Sequence, residues 1–182
     1  MRKKYKYILV LLSLAYSITL TASPNFSLSS NLSKIVDDTV SVELKVDSDI
    51  STEDVLSYSF SFSYNANILT PIDVLYDQNL QHFSKVNNFN TSGKIILVGA
   101  SIQKMSGSGT LLTVRFKAKA QGSTALSFIT NECVLNEGAV VYTFQNGNVN
   151  IAPKPSITLT PNSGFLTLGQ NMQFSVSGGT PP

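Results

Sequence analysis

Cysteine, tryptophan and histidine are almost missing from this chain. Among 182 residues Cys133 is the only cysteine and His82 the only histidine, and there is no tryptophan. One cysteine excludes an intramolecular disulfide, so stability must come from packing. The same scarcity excludes a zinc site built from several His and Cys ligands. It also leaves nucleophilic catalysis without its usual partners: His82 stands between Gln81 and Phe83, and no serine lies in a G-x-S-x-G turn. Cys133, between Glu132 and Val134, reads as a small core residue.

Charge is scarce as well. Only 13% of the residues are charged, and the net charge of +2 includes Arg2, Lys3 and Lys4 at the start. The remainder is close to neutral, which gives no footing for nucleic acid. The acidic pairs Asp37-Asp38, Asp47 with Asp49, and Glu53-Asp54 read as solvated loop charges. The alternatives are a glycosidase carboxylate pair, or a calcium site at Asp47, Asp49, Glu53 and Asp54 that lacks the D-x-D-x-D-G spacing. Neither an enzyme nor a bound cofactor is expected.

No stretch sustains a 3.6-residue apolar period, although residues 76–83 have room for one short helical turn. What is present instead is period two. Tyr58, Phe60, Phe62 and Tyr64 alternate with Ser57, Ser59, Ser61 and Ser63. Side chains of a strand alternate between faces, so one face is aromatic and the other small and polar. Val40, Val42, Leu44 and Val46 repeat the pattern, as do Leu112, Val114, Phe116 and Ala118. Further strands are expected at 125–129, 140–144 and 149–151, with weaker ones near Phe26 and 83–86. Turns separate them at 90–93, 106–109 and 121–122, and Asn146-Gly147 signals a hairpin. About nine short strands imply an all-β sandwich or barrel.

In Lys94-Ile-Ile-Leu-Val-Gly-Ala-Ser-Ile102, Ile96, Val98 and Ala100 share one face and Ile95 and Leu97 the other. Either a loop covers Ile95 and Leu97, or they join the serines of 57–63 in a flat, weakly polar protein-binding face.

The ends read differently. Arg2, Lys3, Lys4 and Lys6 precede an apolar run over 7–20 and the small residues Thr21, Ala22 and Ser23. This is the order of a secretory signal peptide, residues 1–22. An uncleaved anchor is the alternative, but the run is short for a span of ~20 residues. After cleavage no stable membrane segment is expected, and the protein is read as secreted, extracellular or at the cell surface. Near the other end, Pro153-Lys-Pro155 forms a stiff linker. Two strands beyond it, over 156–160 and 173–177, cannot close a core. Residues 156–182 are read as a truncated second β domain.

Four segments in order resemble a cohesin domain. They are Phe60-Ser-Phe-Ser-Tyr-Asn-Ala-Asn-Ile-Leu69, Lys94-Ile-Ile-Leu-Val98, the run 108–119 (SGTLLTVRFKAK) and Asn146-Gly-Asn-Val-Asn-Ile151. The resemblance implies a nine-stranded jelly-roll β-sandwich over 26–152, without catalytic activity. It implies binding of a dockerin-type protein through one flat sheet face, in the setting of polysaccharide breakdown. The partner-binding residues it implies are Ser57, Ser59 and Ser61, with Leu97, Gly99 and Ser101 beside them and Leu97 as apolar anchor. Ser57 and Ser59 stand where the family often carries Asn and Asp. The tail, 157–182, resembles the start of a bacterial Ig-like module. The second functional expectation is a glycan-binding or structural surface module. Exposed Tyr76 or Tyr142 would support it, since sugars stack on exposed rings.

Overall fold

A computed structural model describes residues 23–179; the expected signal peptide, residues 1–22, lies outside the described residues. The alternating segments at 40–46, 57–63, 94–100 and 112–118 form strands as their pattern requires, and strands without such a pattern join them. In chain order the first seven are β1 (Asn25–Leu28), β2 (Leu32–Ile35), β3 (Thr39–Val46), β4 (Ser57–Ser63), β5 (Leu69–Tyr76), β6 (Ser84–Asn88) and β7 (Lys94–Ala100). There follow β8 (Gly109–Ala118), β9 (Gly122–Phe128), β10 (Val134–Leu135), β11 (Thr143–Gln145) and β12 (Gly147–Ala152). The short turn expected within 76–83 is a 3-10 turn at Gln78–Leu80.

Two sheets pack face to face. One has the order β11-β1-β3-β8-β5, and the other β2-β12-β9-β4-β7-β6, with β10 joined to β4. The first and last strands each pass from one sheet to the other. β1 runs parallel to β11 in the first sheet, and β2 runs parallel to β12 in the second. Counted as continuous chain, β1–β2 and β11–β12 are single strands. With β3 to β9 they make the nine of a jelly-roll sandwich, and β10 is an added two-residue bridge.

This crossing corrects the reading of Asn146-Gly147. It is not a hairpin, because β11 and β12 continue one strand in different sheets. Gly147 sits where the two switching strands touch, and a β-carbon there would lie 2.0 Å from the Ser29 carbonyl oxygen. The segment 140–144 is likewise extended only from Thr143.

The core lies between the sheets. Tyr58, Phe60 and Phe62 from β4 point into it, with Val40, Val42 and Leu44 from β3 and Leu112, Val114 and Phe116 from β8. Phe60 packs on Phe26 at 5.1 Å and stacks on Tyr58 at 5.3 Å between ring centroids. Each such side chain contributes ~1.5–3 kcal/mol by leaving water. Residues 157–178 hold a separate antiparallel hairpin, β13 (Ile157–Thr160) with β14 (Ser175–Gly178), all eight of whose residues are exposed. Among the described residues no helix is long and apolar enough to cross a membrane.

Candidate partner-binding face

β4 is the organising strand. Its edge toward β7 is paired along its whole length, from Ser57↔Ala100 to Ser63↔Lys94. Directly opposed residues of an antiparallel pair share a face. Ser59 therefore lies beside Val98, and Ser57 beside Ala100, on the solvent side. On the core side lie Phe60 with Leu97 and Tyr58 with Gly99.

This register corrects the expected site. Leu97 is fully buried, 0% exposed, and packs in the core. Gly99 also faces inward, beneath the Tyr58 ring. Neither is available to a partner. Both faces of β7 are apolar, so its sequence does not reveal which one meets the core. The exposed apolar residues of β7 are one position away from those expected. Ser101 closes the strand: its N–H donates to the Leu56 carbonyl at 2.9 Å, and its hydroxyl accepts from Gln103 N at 3.0 Å. It stands at the end of the face.

The serines divide as well. Ser57 and Ser59 are half-buried and remain on the outer face. Ser61 is covered, 1% exposed, and its hydroxyl lies near the Glu132 carboxylate without a hydrogen bond of good geometry. The cover is the turn after β9. Ile129 N donates to Ser61 O at 2.8 Å, and Cys133 Sγ lies 3.3 Å from both the nitrogen and the oxygen of Ser61. The Lys94–Glu132 ion pair at 2.6 Å pins this turn, and the Ser59 hydroxyl donates to the Glu132 carbonyl at 3.1 Å. Lys94 holds the Glu132 carboxyl below its ordinary range.

Past the turn, β10 takes up the edge of β4 that β9 leaves, placing Val134 opposite Ser59. Asn136 fixes this arrangement. Its Oδ1 accepts from Leu56 N at 2.7 Å and Ser57 N at 3.2 Å, and its Nδ2 donates to Asp54 O at 2.9 Å. On the far side, β6 sets Val86 opposite Val98. One row thus crosses four strands: Val86, Val98, Ser59, Val134. Its valines are 66%, 41% and 39% exposed. Sequence reasoning missed Val86, Val98 and Val134. β10 has two residues and no periodicity of its own, and only backbone pairing reveals it.

The opposite outer face has another character. Glu43 pairs with Lys45 there, and Asp73 with Arg115 through two bonds, Nε to Oδ1 at 2.6 Å and Nη2 to Oδ2. Two recesses at the β1–β2 crossing, about 360 and 330 Å³, are lined by Ser29, Leu32 and Glu43 among others.

The His82 ring contacts the Gln103 carbonyl at 3.1 Å, and burial raises the Cys133 thiol above its ordinary value. The acidic loop residues are engaged: Asp49 accepts from Ser51 and Gly107, Asp54 pairs with Lys104, and Asp47 accepts from Asn25 N. Among the described residues no group of three or more His, Cys, Asp or Glu side chains is placed to hold a metal ion. The tyrosines named for glycan stacking are not exposed platforms. Tyr76 is half-buried, bonded to Asn87 and covered by Lys85 at 5.0 Å, and Tyr142 is half-buried with its hydroxyl on the Cys133 carbonyl at 2.5 Å. The glycan expectation loses its support.

The protein is thus a jelly-roll β-sandwich module with a valine row on one outer face, the Lys94–Glu132 pair at its margin, and the Glu43–Lys45 and Asp73–Arg115 pairs on the opposite face. The family model described as "Cohesin domain" matches residues 24–151, more than half of the chain, and the chain belongs to the cohesin family. Solved structures share its fold at low identity. A complex of CaCohA2, from Clostridium acetobutylicum, with a variant of CaDoc0917 matches with a TM-score of 0.63 and 21% identity, covering 71% of this chain and 100% of that one. A non-cellulosomal cohesin from the hyperthermophilic archaeon Archaeoglobus fulgidus matches at 0.61 and 21%, covering 72% and 92%. The type I cohesin–dockerin complex Coh-OlpC–Doc435 from Clostridium thermocellum matches at 0.61 and 12%, covering 73% and 96%. No curated protein sequence matches the chain.

Proposed function

We propose that residues 26–152 are a non-catalytic adaptor that holds a dockerin-type protein on the outer face of β6, β7, β4 and β10. The observation that carries this reading is the row Val86–Val98–Ser59–Val134, three exposed valines in register across four strands. A water-soluble domain gains nothing from such a row in isolation; contact with a partner removes it from water. Ser57 and Ser59 stay within the proposed face, while Ser61 lies beneath its cover. The cohesin family supplies the kind of partner, since cohesins in the solved complexes are paired with dockerins.

The wider role follows from the chain's organisation. The basic and apolar start over 1–22 supports secretion, and 153–155 joins the module to the first hairpin of an Ig-like unit at 156–182. A secreted, multi-module protein with a cohesin fits a scaffold that gathers polysaccharide-degrading enzymes. Titration calorimetry of the chain against purified dockerin modules tests the reading. Saturable one-to-one binding supports it. Silence across the dockerins, together with hits on a glycan array, overturns it.

A further inference from the structure

We infer that this face takes an uncharged, aliphatic partner surface, with one branched aliphatic side chain seated over Ser59 between Val98 and Val134. The inference rests on the reading of the face as the partner-binding one and names the chemistry that it selects.

Register creates the seat. Val98 and Val134 are the direct neighbours of Ser59 on its two sides. Neighbouring strands lie about 4.8 Å apart, so the two valines stand roughly 10 Å from each other with only a hydroxymethyl group between them. That notch has the width of one aliphatic side chain. Its walls are methyl groups, and Val86 extends the apolar line beyond Val98.

The floor excludes acceptors. The Ser59 hydroxyl already donates to the Glu132 carbonyl at 3.1 Å, so it offers a partner lone pairs and no hydrogen. A carboxylate or carbonyl buried over it would lose water without gaining a donor, which is costly. Cations fare no better. Glu132, whose backbone carbonyl takes the Ser59 hydroxyl, has its carboxylate bound by Lys94 at 2.6 Å, and each neutralises the other. Along the row itself no residue is ionisable. On one flank lie Ser57, Ala100 and Ser84, all uncharged, and on the other Ser61 is sealed under the turn at 130–133. The ion-paired outer face of the other sheet shows that this neutrality is local.

The test uses three small probes on the 15N-labelled full chain, followed by amide NMR: isobutanol for an aliphatic side chain, acetate for a carboxylate, and guanidinium, below denaturing concentrations, for an arginine. Isobutanol is expected to shift the amides of Ser59, Val98 and Val134 saturably, while acetate and guanidinium leave them in place. Saturable shifts with acetate or guanidinium overturn the inference. So does isobutanol moving amides all over the module without preference for the notch. The variant Ser59→Asp, checked for folding by its own amide spectrum, is expected to lose the isobutanol response; an unchanged response also overturns it. If isobutanol seats here but a bound dockerin shifts amides on the other sheet, the notch stands and the assignment of this face to the dockerin falls.

Discussion

The Tyr58 ring lies across Gly99 on the neighbouring strand and fills the space that a β-carbon there would need, its Cε1 2.4 Å from that position. The contact binds β4 to β7 from the core side. It holds the backbone whose opposite surface presents Ser59 and Val98. Gly99→Ala forces the ring out of its stack on Phe60 and its tilted contact with Phe83. Overpacking of this kind costs about 1–3 kcal/mol, so the variant is expected to melt several degrees below the wild type. Tyr58→Phe behaves differently. The Tyr58 hydroxyl is buried near that of Tyr76 without a hydrogen bond of good geometry, and removing it is expected to leave the melting temperature nearly unchanged.

The strand crossing at Gly147 is less forgiving. A methyl group there meets the Ser29 carbonyl at 2.0 Å, a backbone atom that cannot rotate away. Gly147→Ala must separate β1–β2 from β11–β12, and is expected to cost about 3 kcal/mol. Urea titration of the two proteins measures it. A midpoint equal to the wild type would mean that the strands do not cross in contact at this position.

The Lys94–Glu132 pair predicts a specific pH dependence. The lysine lowers the Glu132 carboxyl below its ordinary value of 4.5 in the folded protein. A lowered native pKa stabilises the fold fully above the unfolded value, and that stabilisation fades as pH falls through the native one. Both groups are partly exposed, so the effect is modest. Melting curves of wild type and Lys94→Met should differ by a constant amount above pH 4.5 and converge in stronger acid. A gap that widens on acidification would contradict this sign.

Cys133 is expected to be silent in the folded protein. It is 2% exposed, and burial raises its thiol, leaving little thiolate at neutral pH. A thiol-reactive dye should label it only as the protein unfolds, at the rate of unfolding. Immediate labelling of native protein would show that the turn over Ser61 opens readily.

Much of the architecture was legible because period two is unambiguous where one face is apolar and the other polar. The segments 57–64, 40–46 and 112–118 belong to this kind, and their apolar residues face the core. β7 is different: Ile95 and Leu97 match Ile96 and Val98 in chemistry, so only the pairing Phe60↔Leu97 decides which pair meets the core. That single parity moved the apolar part of the site from Leu97 to Val98. Asn146-Gly147 misled for another reason, since a glycine serves equally in a tight turn and where two backbones touch. Val134 lay beyond reach because β10 exists only through its bonds to β4. The covering of Ser61 depends on a turn some 70 residues away, which strand alternation does not encode.

The central claim is that a partner sits on the Val86–Val98–Ser59–Val134 face. A pair of charge insertions on opposite sheets tests it most directly: Val98→Asp on this face, and Thr113→Asp on the outer surface of β8, which pairs with Glu43 and Leu75. Both proteins should keep a wild-type amide spectrum. Calorimetry against a dockerin that binds the wild type should then show affinity falling about 30-fold or more for Val98→Asp, the loss typical of a central interface residue, and nearly unchanged for Thr113→Asp. The reverse pattern, with Val98→Asp binding as the wild type does and Thr113→Asp failing, would contradict the account.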